Sequence, residues 1–268
     1  MKTRKYPFAG QYIEDLLGHG RFTFQRAEAE QSLKTAPMAT YMALHRLVKS
    51  GRLIMPRSGF YVIVDPQHRS IGTLPPEWLI NDLMKNIGKP YYVGLLSAAQ
   101  LYGAAHHQPM EFQVMIPTRS IRPIKTGNYW IKFFGKGPFD CSEITDVKTP
   151  TGYQKVSTPE TTAWDLVRYS NSAAGLDNVL TVISELSEKL DPKNLLATVK
   201  RHNDVLTAQR LGWLLERVGA KNLYMGLVDW VGKKDPPLRP LHPKLPVEKA
   251  RENQKWHLWV NAKLEPEA

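Results

Sequence analysis

Two groups of residues in this chain have the types and spacing to do chemistry, and they call for different partners. In the helix-type segment 35–51, Met38, Ala39, Met42, Arg46 and Lys49 fall on one side at about 100° per residue, and Thr40, Leu44, Leu47, Val48 and Gly51 fall on the other. The second set reads as core. A face of small and apolar residues ending in two cations is out of place in water but suits a major groove. There the leading residues approach base edges and thymine methyls while Arg and Lys meet phosphate. The other group is Asp140, Glu143, Asp146 and Lys148, with the carboxylate-plus-lysine content by which metal-dependent nucleases hold Mg²⁺ and activate water. Three acids and a lysine near one turn are also ordinary surface. DNA reading is therefore the principal expectation, and a metal-dependent nuclease targeted by the same DNA-binding segment is the alternative.

The reading face needs elements to hold it. Thr35 is placed to cap its helix, Pro37 fits the first turn and Gly51 closes it. Residues 52–55 and 60–64 are strand-like runs on either side of Pro56-Arg57-Ser58-Gly59. They predict a hairpin with Arg57 near its tip, within reach of a neighbouring minor groove or backbone. Upstream, residues 25–33 predict a bracing helix and residues 12–17 a third helix that closes a small core. This is the order of a winged helix-turn-helix, a shape that also serves as an inert packing or protein-docking module. Charge separates the two uses. Residues 1–69 hold 11 Lys and Arg against 5 acids, so more than half of the chain's net +11 sits in a quarter of its length.

The bounds agree with a basic, soluble protein. At 268 residues the chain accommodates one small domain and one of ordinary size, each able to bury a core. No run approaches the roughly 20 apolar residues of a membrane span. The basic start, Met1-Lys2-Thr3-Arg4-Lys5, is followed by Glu14 and Asp15 where a signal peptide would be apolar, which predicts a cytoplasmic protein. The single cysteine, Cys141, excludes an internal disulfide framework and a Cys-based zinc cluster, and is expected to be an inert, buried or half-buried thiol. A pI near 9.6 implies an acidic partner, of which nucleic acid is the commonest.

Beyond residue 64 the pattern changes. Residues 65–75 read as a turn-rich linker, and Pro75-Pro76 open a helix over 77–87. The expected division is a winged helix-turn-helix over 1–70 and a larger mixed α/β domain over 71–268, an α+β fold as a whole. Residues 94–105 predict a buried small-residue helix, followed by His106 and His107, which suit capping of its carbonyls better than metal binding. Strands are expected at 111–116, 129–134 and 153–156. Arg119, Arg122, Lys125, Lys132, Lys136, Lys148 and Lys155 make this a second basic region, scattered over turns as solvated loops are. Ser157-Thr158-Pro159-Glu160 is a helix start. The helix after it, 161–169, should turn Ala163, Trp164, Leu166 and Val167 to the core. Amphipathic helices at 176–190, 193–200 and 205–218 then form a nearly neutral packing bundle. A Pro-rich strap at 235–246 and a strand at 255–261 returning to the sheet complete the reading. No phosphate-binding glycine loop, G-x-S-x-G elbow or H-E-x-x-H is present, so no cofactor, metal or catalytic residue is assigned.

The chain resembles the AbiEi-type antitoxins of type IV toxin–antitoxin systems over nearly its whole length. The segment Tyr91-Tyr92-Val93-Gly94-Leu95-Leu96-Ser97-Ala98-Ala99-Gln100-Leu101-Tyr102-Gly103-Ala104 is similar to the family's Y-x-G-x-x-S-A-A-x-x-x-G. Lys148-Thr149-Pro150 with Val156-Ser157-Thr158-Pro159-Glu160 resembles its strand-to-helix signature, and residues 256–261 with Glu265 resemble its ending. The resemblance implies an antitoxin that is not an enzyme, that binds inverted repeats of its own promoter and represses the operon. It also implies that the larger domain counters a nucleotidyltransferase-like toxin, with direct contact between the two not required. The DNA-reading role then falls on Thr35, Met38, Ala39, Met42, Arg46 and Lys49, with Arg57 on the wing. Inverted repeats imply two protomers per site, as cooperating monomers or a weak dimer. Direct contact with the toxin, as a protein-interaction module, is a third reading.

Overall fold

In the computed structural model, which describes residues 8–105, 111–119 and 121–264, the chain forms two units that interleave in sequence. One takes Met1–Tyr92, Met110–Phe139 and Asp146–Lys155; the other takes Val93–Pro109, Asp140–Thr145 and Val156–Ala268. The architecture is α+β, as expected. His106, His107 and Glu265 lie outside the described residues.

The first unit opens with α1 (Ala9–Gly18), β1 (Thr23–Gln25), α2 (Arg26–Leu33), α3 (Pro37–Lys49), β2 (Leu53–Arg57) and β3 (Phe60–Ile63). These make a winged helix-turn-helix around Tyr12, Ile13, Leu16, Phe24, Leu33, Leu44 and Leu53. The strand β1 has no counterpart in the sequence reading, because three residues are too short to show a period of two. It pairs antiparallel with β3, Thr23 opposite Val62 and Gln25 opposite Phe60, so Gln25 ends a strand and does not begin the bracing helix. The hairpin turn is also tighter than expected. Arg57 still pairs with Phe60, which leaves Ser58 and Gly59 as a two-residue turn, with Gly59 at φ +76°. Between the pairs Ile54–Val62 and Arg57–Phe60, Met55 and Pro56 together oppose Tyr61. This is a bulge where Pro56 has no N–H to give the ladder.

Residues 65–75 do not behave as a free linker. Pro66–His68 is a 3₁₀ turn whose cap, Asp65, accepts the His68 N–H at 3.0 Å. Thr73 and Leu74 are fully buried, and Thr73 shares a 2.7 Å hydrogen bond with Thr126. Gly127 lies so close beneath Thr73 that a Cβ there would stand 2.6 Å from its Cγ2. The next helix, α4 (Pro76–Ile87), carries Asp82, which accepts from the Thr23 hydroxyl at 2.7 Å, and Trp78, whose ring meets Phe22 edge-on. Side-chain bonding of this kind is invisible to a turn-composition reading. The winged helix ends at Ile63, yet the compact unit that contains it extends well past residue 70.

Six strands follow: β4 (Tyr92–Val93), β5 (Glu111–Ile116), β6 (Ile124–Thr126), β7 (Tyr129–Gly135), β8 (Ile144–Thr149) and β9 (Gly152–Ser157), hydrogen-bonded in the order β6-β7-β5-β4-β9-β8. Parallel β5 and β7 pair along their whole length, from Glu111–Trp130 to Ile116–Gly135. The strands β5, β7 and β9 coincide with the expected runs. Short β4 and β6 and polar β8 do not announce themselves.

The second unit is mainly helical. Its first helix, α5 (Leu95–Leu101), is shorter than the 94–105 expected, since Tyr102 ends it and Gly103 turns the chain at φ +75°. Leu95, Ser97, Ala98 and Ala99 are buried, but Leu101 is exposed, so the helix is not apolar all round. The central element is α6 (Pro159–Arg168). Thr158 caps it by accepting the Thr161 N–H, Pro159 occupies the first turn, and every residue from Glu160 to Val167 is buried. Around it lie α7 (Leu176–Leu186), α8 (Pro192–His202) and α9 (Val205–Arg217), and α10 (Lys221–Gly232) packs on α9 and α8. The helix α10 was not foreseen; Gly226 and Gly232 interrupt its pattern. The chain closes with β10 (Arg239–Pro240), β11 (Arg251–Asn253) and β12 (Leu258–Val260), which form a three-stranded sheet of their own in the order β10-β12-β11. The C-terminal strand therefore does not return to the large sheet; its partners are the neighbouring strap and β11.

Candidate nucleic-acid interface

Helix α3 presents the residues singled out for DNA reading, with one change of role. Pro37 is its first residue and the cap position is Ala36, which has no side chain to offer. Thr35 instead shares a 2.7 Å hydrogen bond with the hydroxyl of Thr40, which is fully buried and needs a partner. Thr35 is thus not the cap, and it stays exposed beside the helix start. At the other end Ser50 is followed by Gly51 at φ +70°, whose N–H donates to the Val48 carbonyl. Thr40 and Leu44 are fully buried, and Leu47 and Val48 are half-buried.

The opposite side is open. Met38 is 69% and Met42 47% exposed, and Ala39, Arg46 and Lys49 are exposed with them. Arg57 is exposed next to the turn of the wing. Several arginines elsewhere in the unit are paired. Arg21 meets Glu28 at 2.6 Å, Arg26 meets Glu30 at 2.7 Å and Arg52 meets Glu14 at 3.2 Å. Among the described residues no carboxylate pairs with Arg46, Lys49 or Arg57. Lys34 and Arg69 of the same unit likewise have no carboxylate partner among the described residues, so these three are part of a wider excess of cations there. One flank escaped the sequence reading: Tyr41 stacks on His45 at 5.9 Å, and the Arg26 guanidinium lies over the Tyr41 ring at 5.3 Å. The spacing of four between Tyr41 and His45 carries that signal. Beneath the wing, burial pushes the Tyr61 hydroxyl's pKa up.

The acidic group is engaged elsewhere. Asp140 accepts the Ser142 N–H at 2.7 Å, and its own N–H donates to Glu143 at 3.1 Å, a capping box around the turn Cys141–Glu143. The bonds from Ser142 hold the Asp140 carboxyl below the usual range. Glu143 is buried, with Oε2 3.2 Å from Nε2 of His202, whose ring stacks on Trp164. Asp146 pairs with Lys155 at 3.2 Å, and Lys148 is exposed. Asp140 and Glu143 belong to the second unit, Asp146 and Lys148 to the first. Among the described residues no three His, Cys, Asp or Glu side chains gather as metal ligands would. Cys141 is exposed, contrary to expectation, because the side chain that this turn buries is Glu143.

Two family models match this chain. Residues 11–64 match that of the transcriptional regulator, AbiEi antitoxin, and residues 92–217 match that of the AbiEi antitoxin C-terminal domain. This chain belongs to the AbiEi antitoxin family. The first match covers the winged helix from α1 to the end of the wing, and the second starts at β4 and ends with α9. The AbiEi family is regulatory rather than catalytic, and its members are antitoxins and transcriptional regulators. The crystal structure of the RV2827C protein from Mycobacterium tuberculosis covers 96% of this chain and 92% of its own, with a TM-score of 0.70 at 13% identity, and shows the same fold. The solution structure of the antibiotic-resistance factor ANT(2'')-Ia covers 46% of this chain and 89% of its own at 10% identity. Its TM-score of 0.34 carries no structural argument. No curated protein matches the chain. Among the described residues, no helix is long and apolar enough to cross a membrane.

Proposed function

We propose that this AbiEi-family protein is the antitoxin of a type IV toxin–antitoxin system that represses its own operon. Its winged helix binds inverted-repeat promoter DNA. The observation that carries this reading is the solvent face of α3, where Met38 and Met42 are exposed beside the unneutralised Arg46 and Lys49 on a helix whose other side is buried. A helix of ordinary surface would place polar residues there. Laid in a major groove, Thr35, Met38, Ala39 and Met42 meet base edges and thymine methyls, Arg46 and Lys49 meet phosphate, and Arg57 reaches from the wing. Because the leading residues are small or apolar, discrimination rests on methyl contacts and DNA shape more than on bidentate hydrogen bonds. The division of labour at residue 70 belongs to the same proposal, with residues 71–268 opposing a nucleotidyltransferase-like toxin.

The test is fluorescence anisotropy of the full chain against its own upstream DNA and a scrambled duplex over a range of salt. Tight binding to the upstream DNA alone, weakening as salt rises, is the expected result. Equal weak binding to both duplexes would mean that the charge is generic and that the winged helix docks something else. Co-expression with the neighbouring toxin gene tests the antitoxin half: growth is restored by the full chain, and co-purification reports whether the two proteins touch.

A further inference from the structure

The side of α3 that faces α1 holds a groove of about 580 Å³. Thr35, Ala39 and Arg46, three residues of the reading face, line it together with Ala43 and Leu47. Phe8, Ala9 and Gly10 at the start of α1, with Leu33, Ser50 and Arg52, line the rest. An α-helix is about 10–12 Å across and the major groove about 12 Å wide, so a helix seated there has a phosphate strand along each flank. This groove is the α1 flank. It offers a strand the guanidiniums of Arg46 and Arg52, while the Thr35 and Ser50 hydroxyls beside them are bonded to Thr40 and to the Leu47 carbonyl; Gly10 adds no methyl-sized obstruction, and a Cβ there would stand 3.6 Å from Arg52 Nη1.

One of those arginines is occupied in the free protein. Arg52 Nη2 donates to Glu14 Oε1 at 3.2 Å, and Glu14, one turn along α1 from Gly10, is 67% exposed. A pair that open to solvent contributes little to stability, so replacing its carboxylate by another anion is easy.

We infer that the groove between α1 and α3 takes one strand of the DNA backbone, with Arg52 as a phosphate contact and Glu14 holding the phosphate's place until DNA arrives. This rests on the DNA-binding reading above and adds to it a residue outside the reading face and an acid that restrains affinity. Glu14 remains beside the bound strand and repels it, so its removal strengthens binding.

The test compares Arg52→Ala and Glu14→Gln with the unaltered chain on the upstream and scrambled duplexes, each across salt. Arg52→Ala is expected to weaken binding to both duplexes by the same factor, roughly three- to tenfold. It should also make the slope of log affinity against log salt shallower by about one. Glu14→Gln is expected to strengthen both by a few-fold and to leave the ratio between duplexes unchanged. Unchanged affinity and slope in Arg52→Ala, while the parent still prefers its upstream DNA, overturns the inference and leaves the DNA reading intact. Loss of the preference alone also overturns it, since that is base reading. If the parent shows no preference, the operator reading fails, and the slopes on the scrambled duplex still decide whether Arg52 meets phosphate. Should Arg52→Ala fold poorly, Glu14→Gln decides by itself, because no change in affinity there removes the restraint.

Discussion

Replacing Gly212 by alanine should destabilise the second unit, and the sign of the effect is diagnostic. Gly212 lies inside α9, where alanine would ordinarily be worth about 1 kcal/mol more than glycine. Here a Cβ would stand 2.1 Å from Cζ3, 2.2 Å from Cη2 and 2.7 Å from Cε3 of Trp256, which is fully buried. The ring would have to move by more than an ångström, and it is held. Its Nε1 donates to Glu216 Oε2 at 2.6 Å, its backbone N–H donates to Asn253 at 3.0 Å, and its carbonyl accepts from Gln209 at 2.9 Å. Overpacking costs about 1–3 kcal/mol and losing the buried indole bond about 1–3 more, against the ~1 gained, for a net loss of roughly 1–5 kcal/mol. Urea denaturation followed by circular dichroism, with Trp256→Leu and the double variant completing a cycle, isolates the contact. The double variant should lose much less than the sum of the two single changes. A Gly212→Ala protein that is more stable than its parent would refute the placement of Trp256 against α9.

Other outcomes follow from the same geometry. Arg46→Ala and Lys49→Ala should each weaken operator binding severalfold and reduce the salt slope by about one, with the melting temperature unchanged because both side chains point to solvent. Unchanged affinity in both would remove α3 from the interface. Leu44→Ala, at a fully buried position of α3, should cost about 2–5 kcal/mol and take DNA binding away with the fold of the winged helix, as read by near-ultraviolet circular dichroism. Burial raises the Glu216 carboxyl, but bonds from Lys255 and Trp256 outweigh it and hold its pKa below the ordinary value. A depressed acid stabilises the fold above its unfolded pKa and loses that contribution as pH falls through the native one. Glu216→Gln should therefore be less stable than the parent near neutrality, with the gap narrowing in acid; a gap independent of pH would contradict the assignment.

Much of the exposed face of α3 was legible because its signal is local. Met38, Ala39, Met42, Arg46 and Lys49 separate from Thr40, Leu44, Leu47 and Val48 by helical periodicity alone, and Pro37 and Gly51 mark the ends. Thr35 was misread as a cap because a threonine before a helix normally is one, and the buried Thr40 that takes its hydroxyl lies within the helix. Arg52 was read as the start of a strand, which gave no reason to look toward Glu14, 38 positions away. The carboxylates around residues 140–146 were read as a group since sequence shows types and spacing but not partners, and the structure gives Glu143 to His202 and Asp146 to Lys155.

By itself the sequence determined the winged helix, the exposed face of α3, the capped start of α6 at Thr158-Pro159 and the excess of cations at one end, all set by periodicity, capping and charge within a few turns of chain. Only the tertiary structure decided what distance along the chain conceals. Residues 65–75 are packed around Thr73, Cys141 is exposed, the C-terminal strand joins its own sheet, and Trp256 fills the space over Gly212. Each depends on which distant side chain supplies a hydrogen bond or a surface, and no local pattern carries that choice.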